Sequence, residues 1–231
     1  VNLLNIDPND EIASVVPVRE FSEDRYLMFC TRAGRTKKTP LAAYGNVRSV
    51  GLNAITIGDG DELIDVRITD GSNEVILATR NGKAIRFNES RVRSMGRTAA
   101  GVLGVRLDKG DKVVGMVVVE REDATLLVVS EGGMGKRTDI DAYRLTNRGG
   151  KGVINLKTNK RTGKVVAIKS VAPQDQLMFI TRNGVINRQP VDQIGVIGRA
   201  TQGVRLVNLD DGDVVMDVAR IIQDEDPIED E

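Results

Sequence analysis

The chain has 231 residues, with 33 Lys or Arg balanced by 33 Asp or Glu, 40% hydrophobic residues, one cysteine, and neither histidine nor tryptophan. That length suits one large β domain or two small ones, and the apolar content is enough for a packed core. No run of about 18 apolar residues offers a membrane span, the missing histidines remove the commonest general base and zinc ligand, and the scarce aromatics supply a stacking platform for single-stranded bases poorly.

In chain order, Val1–Ile6, a turn at Asp7-Pro8-Asn9-Asp10 and the stretch Ile12–Val18 read as two strands, the second half of a unit. Complete units follow, and the pattern is clearest over Glu74–Val119. The apolar run Val75–Thr79 leads into the hairpin signal Asn81-Gly82 and then the alternating strand Lys83–Phe87. A long polar loop reaches Gly101–Leu107, and the turn Asp108–Asp111 opens Val113–Val119. Hairpin glycines recur at Gly34, Gly82, Gly133 and Gly184, and glycines opening the third strand at Gly51, Gly101, Gly152 and Gly203, spaced by 48 to 51 residues. Turns before the fourth strand carry Gly60-Asp61, Gly110-Asp111, Gly163-Lys164 and Gly212-Asp213.

Four short strands at a period near 50 residues are the arithmetic of a propeller-like array. The fold class is therefore all-β, a propeller-like array of four-stranded blades. A half blade at 1–21 is followed by blades at about 22–71, 72–121, 122–172 and 173–222, and then by an acidic tail at 223–231. First strands such as Leu126–Val129 are apolar on both faces, as stacked blades require. Asp224–Glu231 holds six carboxylates and no cation, which reads as a disordered tail able to compete with a polyanion.

Charge is unevenly distributed. Windows 35–51, 83–106, 136–157 and 184–205 hold 19 of the 33 cations and only 4 of the 33 acids. If the repeats superpose, these windows form one basic rim. Arg97, Arg148 and Arg199 stand 51 residues apart, and Arg48 holds a similar place. Cations just after the hairpin turns (Lys37, Lys38, Arg86, Lys136, Arg137 and Arg188), with Arg91 and Arg93, extend the rim. The loop Asn147-Arg148-Gly149-Gly150-Lys151-Gly152 sets two cations around glycines that allow close approach to a phosphate. Such a rim suits backbone contacts to bent duplex DNA and lacks an inserted helix or ribbon for base reading.

Other motifs carry less. Gly58–Glu62 lacks the full twelve-residue calcium-loop pattern, and Gly132–Lys136 lacks Walker spacing. Cys30, in the apolar run Tyr26–Cys30, reads as an inert core thiol in a reducing compartment. No catalytic residue, metal site or cofactor is expected. A propeller scaffold binding an acidic protein partner and a carboxylate-based propeller enzyme remain as alternatives.

With this blade pattern, the opening Val1-Asn2-Leu3-Leu4, Ser94-Met95-Gly96, Gly198-Arg199-Ala200-Thr201-Gln202-Gly203 and the acidic tail, the sequence resembles the C-terminal domain of DNA gyrase A. The topoisomerase IV relative is the near alternative. The resemblance implies a six-bladed β-pinwheel, a propeller variant with strands exchanged between neighbouring blades. It further implies a non-catalytic domain that wraps double-stranded DNA in support of ATP-dependent negative supercoiling. Its partners would be the gyrase A breakage-reunion domain and gyrase B, its place the bacterial cytoplasm at the nucleoid, with no membrane. The family's box, Gln-Arg-Arg-Gly-Gly-Lys-Gly, has only a near match at Asn147–Gly152, in a later blade. The true box is expected upstream of Val1.

Overall fold

The computed structural model describes residues 11–46 and 51–221, in which the regular structure is strand interrupted by short 3-10 turns. The first blade contains β1 (Tyr26–Thr31), β2 (Arg35–Pro40) and β3 (Leu63–Thr69), and the second β4 (Glu74–Thr79), β5 (Lys83–Asn88) and β7 (Val113–Val119). The third contains β8 (Thr125–Ser130), β9 (Met134–Asp139) and β12 (Val165–Val171), and the fourth β13 (Gln176–Thr181), β14 (Ile186–Pro190) and β16 (Val215–Ile221). In each blade the first strand pairs antiparallel with both others.

The fourth position of a blade comes from the following unit. β6 (Val102–Leu103) pairs with β2, β11 (Val153–Ile154) with β5, and β15 (Val204–Arg205) with β9, always antiparallel. A further short strand, β10 (Leu145–Thr146), runs parallel to β5. The donated strands form the outer perimeter. β3, β7, β12 and β16 form the inner edge, where Arg67, Val117, Lys169 and Ala219 line one axial cavity of about 360 Å³. The result is four small sheets in a ring-like, propeller-type arrangement with strand exchange.

Stacking explains the two-faced apolar first strands. In a strand, successive side chains point to opposite faces. Val75 and Leu77 accordingly join Met28 and Cys30 of the first blade, whereas Ile76 and Ala78 join Leu126 and Val128 of the third. Leu127 and Val129 in turn meet Leu177 and Phe179 of the fourth. All of these residues are buried, so each of these junctions holds an apolar core between neighbouring blades.

The repeated glycines serve the exchange as well as the turns. Gly82 has φ +88°, and its carbonyl accepts from Asn155 N and Leu156 N of the next unit at 2.8 and 3.1 Å. A Cβ there would lie 2.1 Å from the Leu156 carbonyl oxygen. Gly152, φ +70°, opens the donated strand, and its Cβ would lie 2.3 Å from the Ala84 oxygen. A side chain at either place meets backbone that cannot withdraw without breaking the strand pair.

The aspartates after the turn glycines are clips. Asp111 Oδ1 accepts from Asn81 N and Lys112 N, both at 2.9 Å, joining the hairpin tip to the start of the inner strand. Asp61 and Asp213 repeat the contact. In the third unit, where Lys164 replaces the acid, Glu131 accepts from Lys164 N instead. These four acids therefore stabilise turns by hydrogen bonds to backbone amides.

Three expectations require correction, and two further segments fall outside the described residues. Ile12–Val18 is not a strand. Ile12 and Val15 are exposed, and among the described residues no first strand pairs with the segment. The third segment of the first unit, from Gly51, forms no strand either. Ala54 and Ile55 pack back against Phe29, Tyr44 and Val66 of their own blade. The fourth blade has three strands, and the outer edge of β14 has no donor among the described residues. Ile186 there is 59% exposed, although the equivalent Thr36, Ala84 and Gly135 are buried. Val1–Ile6 and the tail at 223–231 lie outside the described residues.

Gly184 has the same hairpin conformation as Gly82, φ +82°, but no atom within 4 Å of a Cβ. Gly184→Ala should cost about 1 kcal/mol for the left-handed backbone. Gly82→Ala should cost about 3 kcal/mol or more, because it also forces the exchanged segment away. Chemical denaturation of the two variants measures the difference, and equal losses would contradict the assigned role of the exchange.

Candidate nucleic-acid interface

The basic windows divide into two populations once folded. The first lies inside. Lys37 is fully buried, its Nζ donating to the carbonyls of Ala54 and Arg97 and standing 5.2 Å from the Phe29 ring centroid. Lys136, at the equivalent place two units on, is also fully buried and donates to Gly198 O at 2.7 Å and Thr138 Oγ1 at 3.2 Å. Neither can reach a phosphate in this fold, which corrects the expectation for both.

The next residue along each second strand is a bolt between blades. Lys38, buried, pairs with the fully buried Glu89 at 3.4 Å and donates to its carbonyl at 3.2 Å. Arg86 donates to Ile140 O at 2.8 Å and Tyr143 O at 3.1 Å, and pairs with Glu74 at 2.6 Å. Arg137, buried, donates to Ile194 O at 2.7 Å. In each case the acceptor belongs to the 3-10 turn of the following unit or to the residue that caps it. Arg188 has no following unit among the described residues; it is exposed and donates to Gln176 of its own blade. Lys38, Arg86 and Arg137 are thus structural, a use that sequence spacing alone does not separate from a binding rim.

Arg148 and Arg199 are half-buried staples on the perimeter. Arg148 donates from Nε to Arg91 O at 2.8 Å and from Nη1 to Leu103 O at 3.0 Å. Arg199 repeats this with Ala142 O and Ile154 O, both at 3.1 Å. A guanidinium has five N–H donors, so each keeps donors for an anion while its orientation is fixed. Arg97 is half-buried, its carbonyl held by Lys37. Arg48 lies outside the described residues.

The glycine loop is likewise a docking element. Gly149 N donates to Gly104 O at 2.6 Å, and Gly150 O accepts from Arg106 N at 2.8 Å. Together with Gly152 against β5, these contacts bind the loop to the preceding unit, while Asn147 and Lys151 remain exposed. Lys151 stands 3.7 Å from the Asp108 carboxylate, an exposed pair of little energetic weight.

The second population is exposed. Arg91, Arg93, Arg188 and Lys151 belong to it, and so do Arg106, Arg144, Lys157 and Arg205, which the spacing of the hairpin turns does not single out. A sequence signal is nevertheless present: Arg93 and Arg144, and Arg106 and Lys157, are pairs 51 residues apart. All of these except Arg188, which lies on β14, sit on or beside the segments that carry the donated outer strands. Among the described residues no group of three or more His, Cys, Asp or Glu side chains is placed to hold a metal ion. Cys30 is fully buried, and that burial pushes its thiol pKa up.

Comparison with known proteins converges on one family. The sequence matches the family described as DNA gyrase C-terminal domain, beta-propeller, over residues 25–70, 73–120, 124–172 and 175–222. The DNA gyrase A protein of Haloquadratum walsbyi is 45% identical over 223 residues, covering 94% of this chain and 26% of that protein. The chain therefore spans about a quarter of the length of that relative. Among solved structures, a C-terminal domain of DNA topoisomerase IV is similar at TM-score 0.89 and 29% identity, covering 95% of this chain and 69% of that one. A DNA gyrase A C-terminal domain is similar at TM-score 0.85 and 27% identity, covering 95% of this chain and 73% of that one.

The buried lysines give the fold a signature in solution. Burial, and then the charge of Arg97 beside Lys37 and of Arg199 beside Lys136, lower each ammonium pKa from 10.5 to about 8. Between those values the unfolded chain binds more protons than the folded one, so both lysines make stability rise with pH across that window. Replacing both (Lys37→Met with Lys136→Met) should flatten the rise in denaturation midpoint from pH 8 to pH 10 relative to the unsubstituted chain. An undiminished rise would show that the two ammonium groups are not held as described.

Proposed function

The chain belongs to the DNA gyrase C-terminal domain, beta-propeller family, and we propose that it binds duplex DNA along its outer perimeter, bending it without regard to sequence. The observation that carries the reading is the recurrence of exposed cations at matching places on successive blades: Arg93 with Arg144, and Arg106 with Lys157. A bent row of cations suits a bent polyanion, and phosphate contacts carry no base information. Arg148 and Arg199, held by neighbouring carbonyls, add guanidiniums that lose little freedom on binding.

In this reading the chain has no catalytic step of its own. It holds a duplex in a curved path, and the breakage-reunion domain and gyrase B of a gyrase holoenzyme pass strands at the expense of ATP. Among the described residues no helix is long and apolar enough to cross a membrane. The wrapped segment would run over the donated outer strands, so the element that completes each blade would also carry the DNA.

Affinity for a long duplex should fall steeply with salt, by roughly 0.9 log units per phosphate contact for each tenfold rise. Arg93→Ala with Arg144→Ala should lower that slope by about 1.8, while Lys37→Met with Lys136→Met should leave it unchanged. Ligating nicked plasmid in the presence of the chain should shift the linking number. Duplex affinity indifferent to salt, or no duplex binding alongside capture of an acidic protein, would replace this reading with that of a protein-binding scaffold.

A further inference from the structure

The perimeter carries a second repeated feature that charge does not explain. Leu103 and Ile154, 51 residues apart, are the second residues of β6 and β11 and are 37% and 42% exposed. Leu145 and Val196, also 51 apart, are 53% and 45% exposed. Both pairs lie on the outermost elements of the blades. Leu145 is paired with Arg86 on the edge of β5, and Val196 is bridged to Arg137 on the edge of β9.

Single exposed aliphatic residues are ordinary on any surface. What requires an account here is recurrence at fixed places beside a fixed cation. The Leu103 carbonyl accepts from Arg148 Nη1 at 3.0 Å, and the Ile154 carbonyl accepts from Arg199 Nη1 at 3.1 Å. A half-buried guanidinium is therefore anchored on the backbone carbonyl of an exposed aliphatic residue, twice, in the same geometry. Leu103 also lies along Gly149, where a Cβ would come within 3.8 Å of its Cδ2. The glycine keeps the leucine uncovered by a neighbouring side chain.

We propose that Leu103, Leu145, Ile154 and Val196 form an aliphatic ridge that enters the minor groove where a bent duplex turns it toward the protein, packing on deoxyribose faces while the adjacent guanidiniums meet the bordering phosphates. This rests on the DNA-binding reading above and adds the groove and the chemistry of contact. Aliphatic side chains have no hydrogen-bonding groups, so they cannot read base edges. Sugar faces are alike in every nucleotide, so the contact is sequence-tolerant. Apolar side chains in the minor groove, flanked by cations, are also a general means of holding DNA bent. The ridge supplies the part of the binding that salt does not screen, and the cations supply the part that it does.

Leu145→Ser with Ile154→Ser tests the ridge at two exposed positions, with thermal denaturation to show that the fold is retained. Binding to a long linear duplex should weaken about three- to tenfold at every salt concentration with the salt slope unchanged. The linking-number shift per bound chain should shrink. Leu145→Met with Ile154→Val, which keeps the apolar surface, should restore both. If the serine variant binds and shifts linking number as the unsubstituted chain does, the ridge is overturned while the DNA reading stands. If the unsubstituted chain binds no duplex at all, the DNA reading itself falls and takes the ridge with it.

Discussion

The whole structure depends on the hydrogen bonds that each unit donates to the hairpin of the unit before it. Amides of Gly104 and Val105 bind the Gly34 carbonyl, those of Asn155 and Leu156 bind Gly82, and those of Leu206 and Val207 bind Gly133. Three strands of a unit make a sheet with an open outer edge, and the next unit closes it. Closing edges by repetition is how an array of short strands avoids unpaired backbone and unwanted association. Each blade is thereby tied to its neighbour covalently, by backbone pairing and by a shared apolar core.

That constraint divides the cations. The second strand lies against segments of the following unit on both of its faces, so Lys37, Lys38, Arg86, Lys136 and Arg137 are drawn to carbonyls of that unit. A carbonyl left unpaired in a seam is costly, and a long cationic side chain reaches it with several donors. Arginines and lysines on the looping segments are carried past the seam to the outside. A basic rim and a set of basic bolts arise from one stretch of sequence because that stretch crosses from a blade's interior to its perimeter.

The junctions are chemically distinct despite the repeat. Glu89, which accepts from Thr69 Oγ1 and from the amides of Gly71 and Asn73 and pairs with Lys38, makes the first seam polar. At the equivalent positions of the later seams stand the buried apolar side chains of Ile140 and Val191. The cation persists there as Arg86 or Arg137, donating to backbone carbonyls of the following unit, so units diverge in this way without loss of the shared geometry.

Periodicity alone determined that this chain is an array of four-stranded units, because hairpin glycines, third-strand glycines and turn aspartates recur at one spacing only when one local structure is repeated. The two-faced apolar strands likewise announced stacked blades, since alternation fixes which side chains face which neighbour. Sequence could not separate Lys136 from Arg144, although both lie in one basic window. Burial is decided by the edge against which the donated segment lies, and that edge belongs to another unit. Nor could it show that the segment from Gly51 folds back on its own blade or that β14 has no donated strand among the described residues. Both follow from which partner edges stand within hydrogen-bonding reach, a property of the assembled chain that no local pattern carries.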